Sequence, residues 1–121
     1  MDNRIIPVTP AASHVGKEGY AVVADGAGAA AVSTSGTDLP IGPIVSGSDT
    51  TGKSSVALPG SRVPVKLGGT VKALDPLKLH TDGTYIKNAA GARTICAVAM
   101  QDGVAGDLCE AFILPPIPLS A

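Results

Sequence analysis

The sequence predicts an all-β domain, a small β-barrel, and three observations carry that reading. Gly and Pro recur throughout, 15 and 10 times in 121 residues. The longest stretch free of both, 92–102, ARTICAVAMQD, barely reaches the length of an average helix and contains β-branched Thr94, Ile95 and Val98, which favour strands. Apolar residues alternate: Val63, Val65 and Leu67 share one face against Arg62 and Lys66, and Leu77 and Leu79 alternate with Lys78 and His80. That is the period of a half-buried strand. Asp25-Gly26 and Asp82-Gly83 supply the turn chemistry that such strands need between them, because Gly accepts the positive φ of a tight turn.

The elements follow in chain order. Residues 1–19 hold the apolar set Ile5, Ile6 and Val8, and Pro7 and Pro10 bar a helix there. This stretch is expected to be an extended N-terminal arm outside the barrel, dispensable for folding. The barrel domain is expected over 20–114. Its first strand is YAVVADG, turning at Asp25-Gly26. IGPIVS and SSVAL flank the glycine-containing turn around Gly52, and RVPVKL and PLKLH lead to Asp82-Gly83. ICAVAM and LCEAFIL flank a turn through Asp102-Gly103 and Gly106. Residues 115–121, PPIPLSA, cannot continue a central strand, because proline lacks the ladder N–H. They are expected to be a Pro-rich C-terminal tail outside the barrel. Ile117 and Leu119 on the tail, with Ile5, Ile6 and Val8 on the arm, are apolar residues that a free monomer would expose, and they are the candidate partner-binding residues.

Two similar halves, 20–58 and 76–114, are suggested by an offset of 54 that sets Ile41 on Ile95, Ile44 on Val98, Gly52 on Gly106 and Ala57 on Ala111. In that register Gly52 and Gly106 are equivalent turn glycines.

Composition excludes several classes. A net charge of -1 lacks the basic field of a nonspecific nucleic-acid binder or a polybasic membrane-surface protein. With 45% hydrophobic residues the chain is too apolar to be disordered throughout, yet no run is long enough to span a bilayer as a helix. No Trp, two Tyr and one Phe leave little for an aromatic ligand pocket or a base-stacking surface. The start, with Asp2 and two early prolines, is not a secretory signal. Cys96 and Cys109 are therefore expected to be free thiols in a reducing compartment, although a two-residue turn at Asp102-Gly103 would set them opposite each other.

One motif is formally complete. Gly47 to Ser54, GSDTTGKS, matches the phosphate-binding loop G-x-x-x-x-G-K-[ST]. Such a loop needs a helix behind it to align its amides, and Pro59, Gly60 and Pro64 follow too closely for one. It reads as a turn, with Lys53 in solvent. His80 falls on the polar side of its strand, His14 in the arm, and Asp25, Asp82, Asp102 and Asp107 at turns. No nucleophile–base pair or metal set stands out, and no cofactor or small-molecule substrate is expected. Gly69 to Leu77 is similar to the strand-turn-strand of biotinyl and lipoyl carrier domains, but no lysine occupies the Asp82-Gly83 or Asp102-Gly103 turn.

The succession YAVVADG, DLPIGPIVSGSDTTGKSSVAL, VKLGGTVKALDPLKLHTDGTYIK and ICAVAMQDGVAGDLCEAFIL, from about Gly19 to Leu114, resembles the capsid decoration, or cement, proteins of tailed bacteriophages. The proline-rich tail departs from that pattern. The resemblance implies a β-tulip-like barrel made in the host cytoplasm. It would assemble as a homotrimer on the outer surface of the virion and bridge subunits of the phage major capsid protein. Ile5, Ile6, Val8, Ile117 and Leu119 would be the capsid-contacting residues. The competing readings are another viral or cellular β-barrel interaction module, such as a tail component, and a nucleotide binder using 47–54.

Overall fold

Ten strands and no helix form among residues 4–26, 28–34, 40–88 and 94–118, which the computed structural model describes. The first five are β1 (Ile5–Val8), β2 (Ala21–Ala24), β3 (Ala30–Val32), β4 (Gly42–Ser46) and β5 (Ser54–Ala57). They form one antiparallel sheet in the order β1-β5-β4-β2-β3. The next five are β6 (Arg62–Lys66), β7 (Pro76–Leu79), β8 (Tyr85–Lys87), β9 (Thr94–Ala99) and β10 (Leu108–Pro118). They form a second antiparallel sheet in the order β6-β10-β9-β7-β8. The two sheets have the same topology.

Each sheet curls until its outer strands touch. In the first, a parallel bridge joins Pro10 to Ala30, with the Ala11 N–H donating to the Ala30 carbonyl at 2.8 Å and the Ala30 N–H to the Thr9 carbonyl at 2.8 Å. In the second, Leu67 bridges Tyr85, and the Gly68 N–H donates to the Tyr85 carbonyl at 2.9 Å. The fold is all-β and barrel-like, as the sequence indicates, with its strands divided between two such units.

The ladders set the correspondence between the units. Val22↔Val32 maps onto Leu77↔Lys87, Ala21↔Pro43 onto Pro76↔Val98, and Ile44↔Val56 onto Ala99↔Ala111. These positions are shifted by 55, one more than the offset read from sequence, while β1 maps onto β6 with a shift of 57. The difference is physical, because a slip of one residue turns inward side chains outward. At 55, buried Ser54 and Val56 match buried Cys109 and Ala111. Gly106 then has no glycine counterpart. It has a φ of +91°, whereas Gly52 does not adopt a positive φ.

Two expectations are corrected. Residues 5–8, expected in an arm outside the barrel, are the edge strand β1, paired with β5 from Ile5↔Ala57 to Val8↔Ser54. An edge strand tolerates Pro7, since one row of its amides has no ladder partner to serve. Residues 115–118, expected in a free tail, extend β10, with Ile117↔Ile95 and Pro118↔Thr94 after a register shift beyond Ile113. Pairing with β6 ends at Phe112↔Arg62. The prolines therefore fall where β10 is irregular on one side and unpaired on the other, a place proline can occupy.

Alternation places the core. Val63, Val65, Leu67, Leu77, Leu79 and Tyr85 are buried in one cluster, which also takes Ala21 and Ala57 from the first sheet. Val22, Ala30, Ile44 and Val56 form a smaller cluster, with Val8 and Tyr20 packed on it. The sheets are stitched at Gly19, whose N–H donates to the Ile44 carbonyl at 2.7 Å and whose carbonyl accepts the Lys66 N–H at 2.9 Å. Gly19 has a φ of +87°, and a Cβ there would lie 2.6 Å from the Lys66 nitrogen. Farther along, the Ala21 N–H donates to the Gly83 carbonyl at 2.9 Å. On the second unit, Lys87 and Asp75 face each other at 3.9 Å.

Candidate functional site

The two ends of the described chain converge on Ser61. Its buried hydroxyl accepts the Arg4 N–H at 2.8 Å and donates to the Arg4 carbonyl at 3.2 Å. Its carbonyl accepts the Ile113 N–H at 2.8 Å, and the neighbouring Gly60 N–H donates to the Ile113 carbonyl at 2.8 Å. β1 therefore begins, and the last stretch of β10 departs, from one place. Beside it Arg62 Nε meets Glu110 Oε1 at 2.8 Å on the surface.

The candidate partner-binding residues divide around this point. Ile5 is 43% exposed. Ile6 is half-buried, and Val8 packs on the first sheet's core. The Ile117 backbone is held against Ile95, and Leu119 lies outside the described residues. The convergence at Ser61 was not legible, because a lone serine between Gly60 and Arg62 carries no pattern.

The Gly47–Ser54 loop is a turn whose amides are already engaged. The Gly47 N–H donates to the Glu18 carboxylate at 3.0 Å, and the Ser48 N–H to Ser54 Oγ at 3.0 Å. Asp49 Oδ1 accepts the Thr51 hydroxyl at 2.6 Å and the Thr51 N–H at 3.0 Å. These bonds hold the Asp49 carboxyl below its usual range, the Thr51 hydroxyl contributing most. A carboxylate stands where a phosphate would be cradled, and strand β5 follows instead of a helix. Exposed Lys53 donates to Thr9 Oγ1 at 2.5 Å.

His14, expected in the free arm, is buried and joins Ser54 Oγ through Nδ1 at 2.8 Å. Burial pushes its pKa below the ordinary histidine value, partly opposed by the backbone of Ala30. Both cysteines are free and buried. They are not opposed, because Gly103 pairs with Val71 and the chain turns later, at Val104 to Asp107. Burial pushes the Cys96 thiol up to about 12 and also raises Cys109, so neither has the lowered pKa of a reactive thiol. Among the described residues no cluster of three potential metal ligands occurs.

The architecture, two barrel-like sheets of one topology in tandem, recurs in solved structures. One similar solved structure is the N base of head fiber gp8.5 in bacteriophage phi29, which aligns over 99% of this chain and 100% of that one, with a TM-score of 0.70 and 17% identity. That likeness establishes a shared fold. No protein-family model matches the chain, and no curated protein does.

Proposed function

We propose that this chain is a structural protein of a bacteriophage virion that attaches to the outer surface of the capsid. In this reading it assembles as a homotrimer and stabilises the shell by bridging subunits of the major capsid protein. The observation that carries it is the end-to-end likeness to a phage head fiber base. The bottom-up features agree with it. The polar loops are engaged in their own turns, the thiols are buried, and apolar Ile5 stands exposed beside Arg4, which with Ile113 bonds to Ser61. A trimer would present three such surfaces at once, so each contact can be weak while the whole binds firmly.

The experiment is cosedimentation of the purified protein with capsids lacking it, followed by its location in a capsid map. Saturable binding at symmetry-related sites on the outside is expected, with capsids that withstand more heat. A protein that stays in the supernatant at every concentration would overturn the proposal. Ile5→Asp should weaken attachment and leave the fold intact, as Ile5 is an exposed residue of an edge strand.

A further inference from the structure

A groove of about 590 Å³ opens at the seam where the first sheet closes. Pro7, Val8, Ala24, Gly28, Ile41 and Lys53 are among the residues that line it. The second unit shows what such a seam looks like when filled. The counterparts of Ala24 and Ala30 there are Leu79 and Tyr85, both buried. Exposed Ala24 in the first unit leaves open the place that buried Leu79 fills in the second, and Ala30, buried like its counterpart, is far smaller than Tyr85.

The loop beside the groove makes the same comparison. Gly28 and its counterpart Gly83 have φ values of +87° and +85°. Gly83 is covered: the place of a Cβ lies 2.6 Å from Val32 Cγ1 and 3.3 Å from Tyr20 Cδ2, and its carbonyl accepts the Ala21 N–H at 2.9 Å. Gly28 has nothing within 4 Å of the same place. The second unit's loop thus receives a segment carrying an aromatic ring and one main-chain donor, and the first unit's loop offers the same backbone open.

We infer that this groove docks a β-strand of another protein that presents an aromatic side chain beside a carboxylate. The ring fits the space beside exposed Ala24, and a main-chain N–H of the strand meets the Gly28 carbonyl as Ala21 meets Gly83. The carboxylate answers Lys53, whose ammonium is held by the neutral Thr9 hydroxyl, and a charge-assisted bond is the stronger one. A second copy of this chain does not fit. Of its three aromatic residues, Tyr85 is buried, half-buried Tyr20 packs at the sheet junction, and half-buried Phe112 sits on a strand already paired on both sides, with no free edge to add to a groove. The inference deepens the attachment reading and rests on it for the partner's identity.

The test has two arms. In the first, 4-hydroxyphenylacetate, a phenol ring with a carboxylate, is titrated into the isotope-labelled protein. Saturable amide shifts confined to Gly26, Gly28, Ala30, Ile41 and Lys53 are expected. Ala24→Trp, which fills the groove from an exposed position, should abolish them, and Lys53→Glu should weaken binding about tenfold. Absent or scattered shifts would overturn the inference whether or not the protein binds capsids. In the second arm, Ala24→Trp with an unchanged melting curve should lose capsid affinity about tenfold or more. Undiminished binding of that variant would overturn the inference and spare the attachment reading. Failure of the unmodified protein to bind capsids would sink that reading, and the first arm still decides the groove. Self-association that Ala24→Trp removes in sedimentation would place a second copy in the groove, against the inference.

Discussion

Gly19 and Gly106 both adopt a left-handed backbone, yet they face different neighbours. A Cβ on Gly106 meets nothing within 4 Å, whereas one on Gly19 would strike the Lys66 nitrogen and Leu108 Cδ2 at 2.6 and 2.7 Å. Gly106→Ala should therefore cost only the backbone term, about 1 kcal/mol. Gly19→Ala adds a clash with main chain at the sheet junction and should cost about 3 kcal/mol or more. Denaturant midpoints of the two variants check the ranking, and similar losses would mean that Gly19 does not stitch the sheets. His14 sets a pH dependence. Its folded pKa lies below the ordinary value of 6.5, so the unfolded chain binds the proton more readily. Stability is then full above 6.5 and falls as pH drops through the unfolded value. Asp49 and Asp82, whose folded pKa values lie below the ordinary 3.8, lose their contribution only further down. The melting temperature should fall from about pH 7.5 to about pH 5.5, and His14→Gln should flatten that slope.

Strand β1 does more for the fold than its short, proline-interrupted sequence suggested. It supplies the edge of the first sheet, its Val8 packs on the core, and the residues after it close the sheet onto Ala30. A chain beginning at Gly19 would also lose His14 from beneath Ser54. Such a chain should melt well below the full protein or fail to fold, as circular dichroism on heating will tell, in contrast to the dispensable arm read from sequence. Strands such as β6 and β7 were legible because one face is buried and the other wet, so their side chains alternate visibly. β1 was not, since its exposed face is Ile5 and Pro7, whereas charged Arg62 and Lys66 mark the outer face of β6. A signal was nonetheless present: Ile6-Pro7-Val8 repeats as Val63-Pro64-Val65 in β6, its structural counterpart. The offset of 54 failed for a related reason. It was anchored on Gly52 and Gly106, loop residues free to shift, rather than on the buried strand positions that cannot.

At the scale of the whole molecule the two units are not independent. Ala21 and Ala57 of the first sheet lie in the second sheet's core, and Gly19 and Ala21 bond across the junction. Unfolding should be a single transition in which calorimetric and van't Hoff enthalpies agree. Two resolved transitions would mean that the junction is weaker than its hydrogen bonds imply. The groove was illegible for a different reason than β1: it exists only as a difference between equivalent positions, Ala24 against Leu79 and Ala30 against Tyr85, and no single segment encodes it. The ion pair of Lys87 with Asp75 has a meaning of the same comparative kind. These residues stand where the first unit has Val32 and Tyr20, the pair that covers Gly83 of its neighbour. Had they been apolar, the second unit would offer the face on which a third could be laid, and copies could queue head to tail into an open-ended filament. The charged pair, with Lys87 exposed, makes that face a poor seat for a third unit. The molecule is thus a tandem whose second unit carries charge where its first carries the apolar cover of a neighbour.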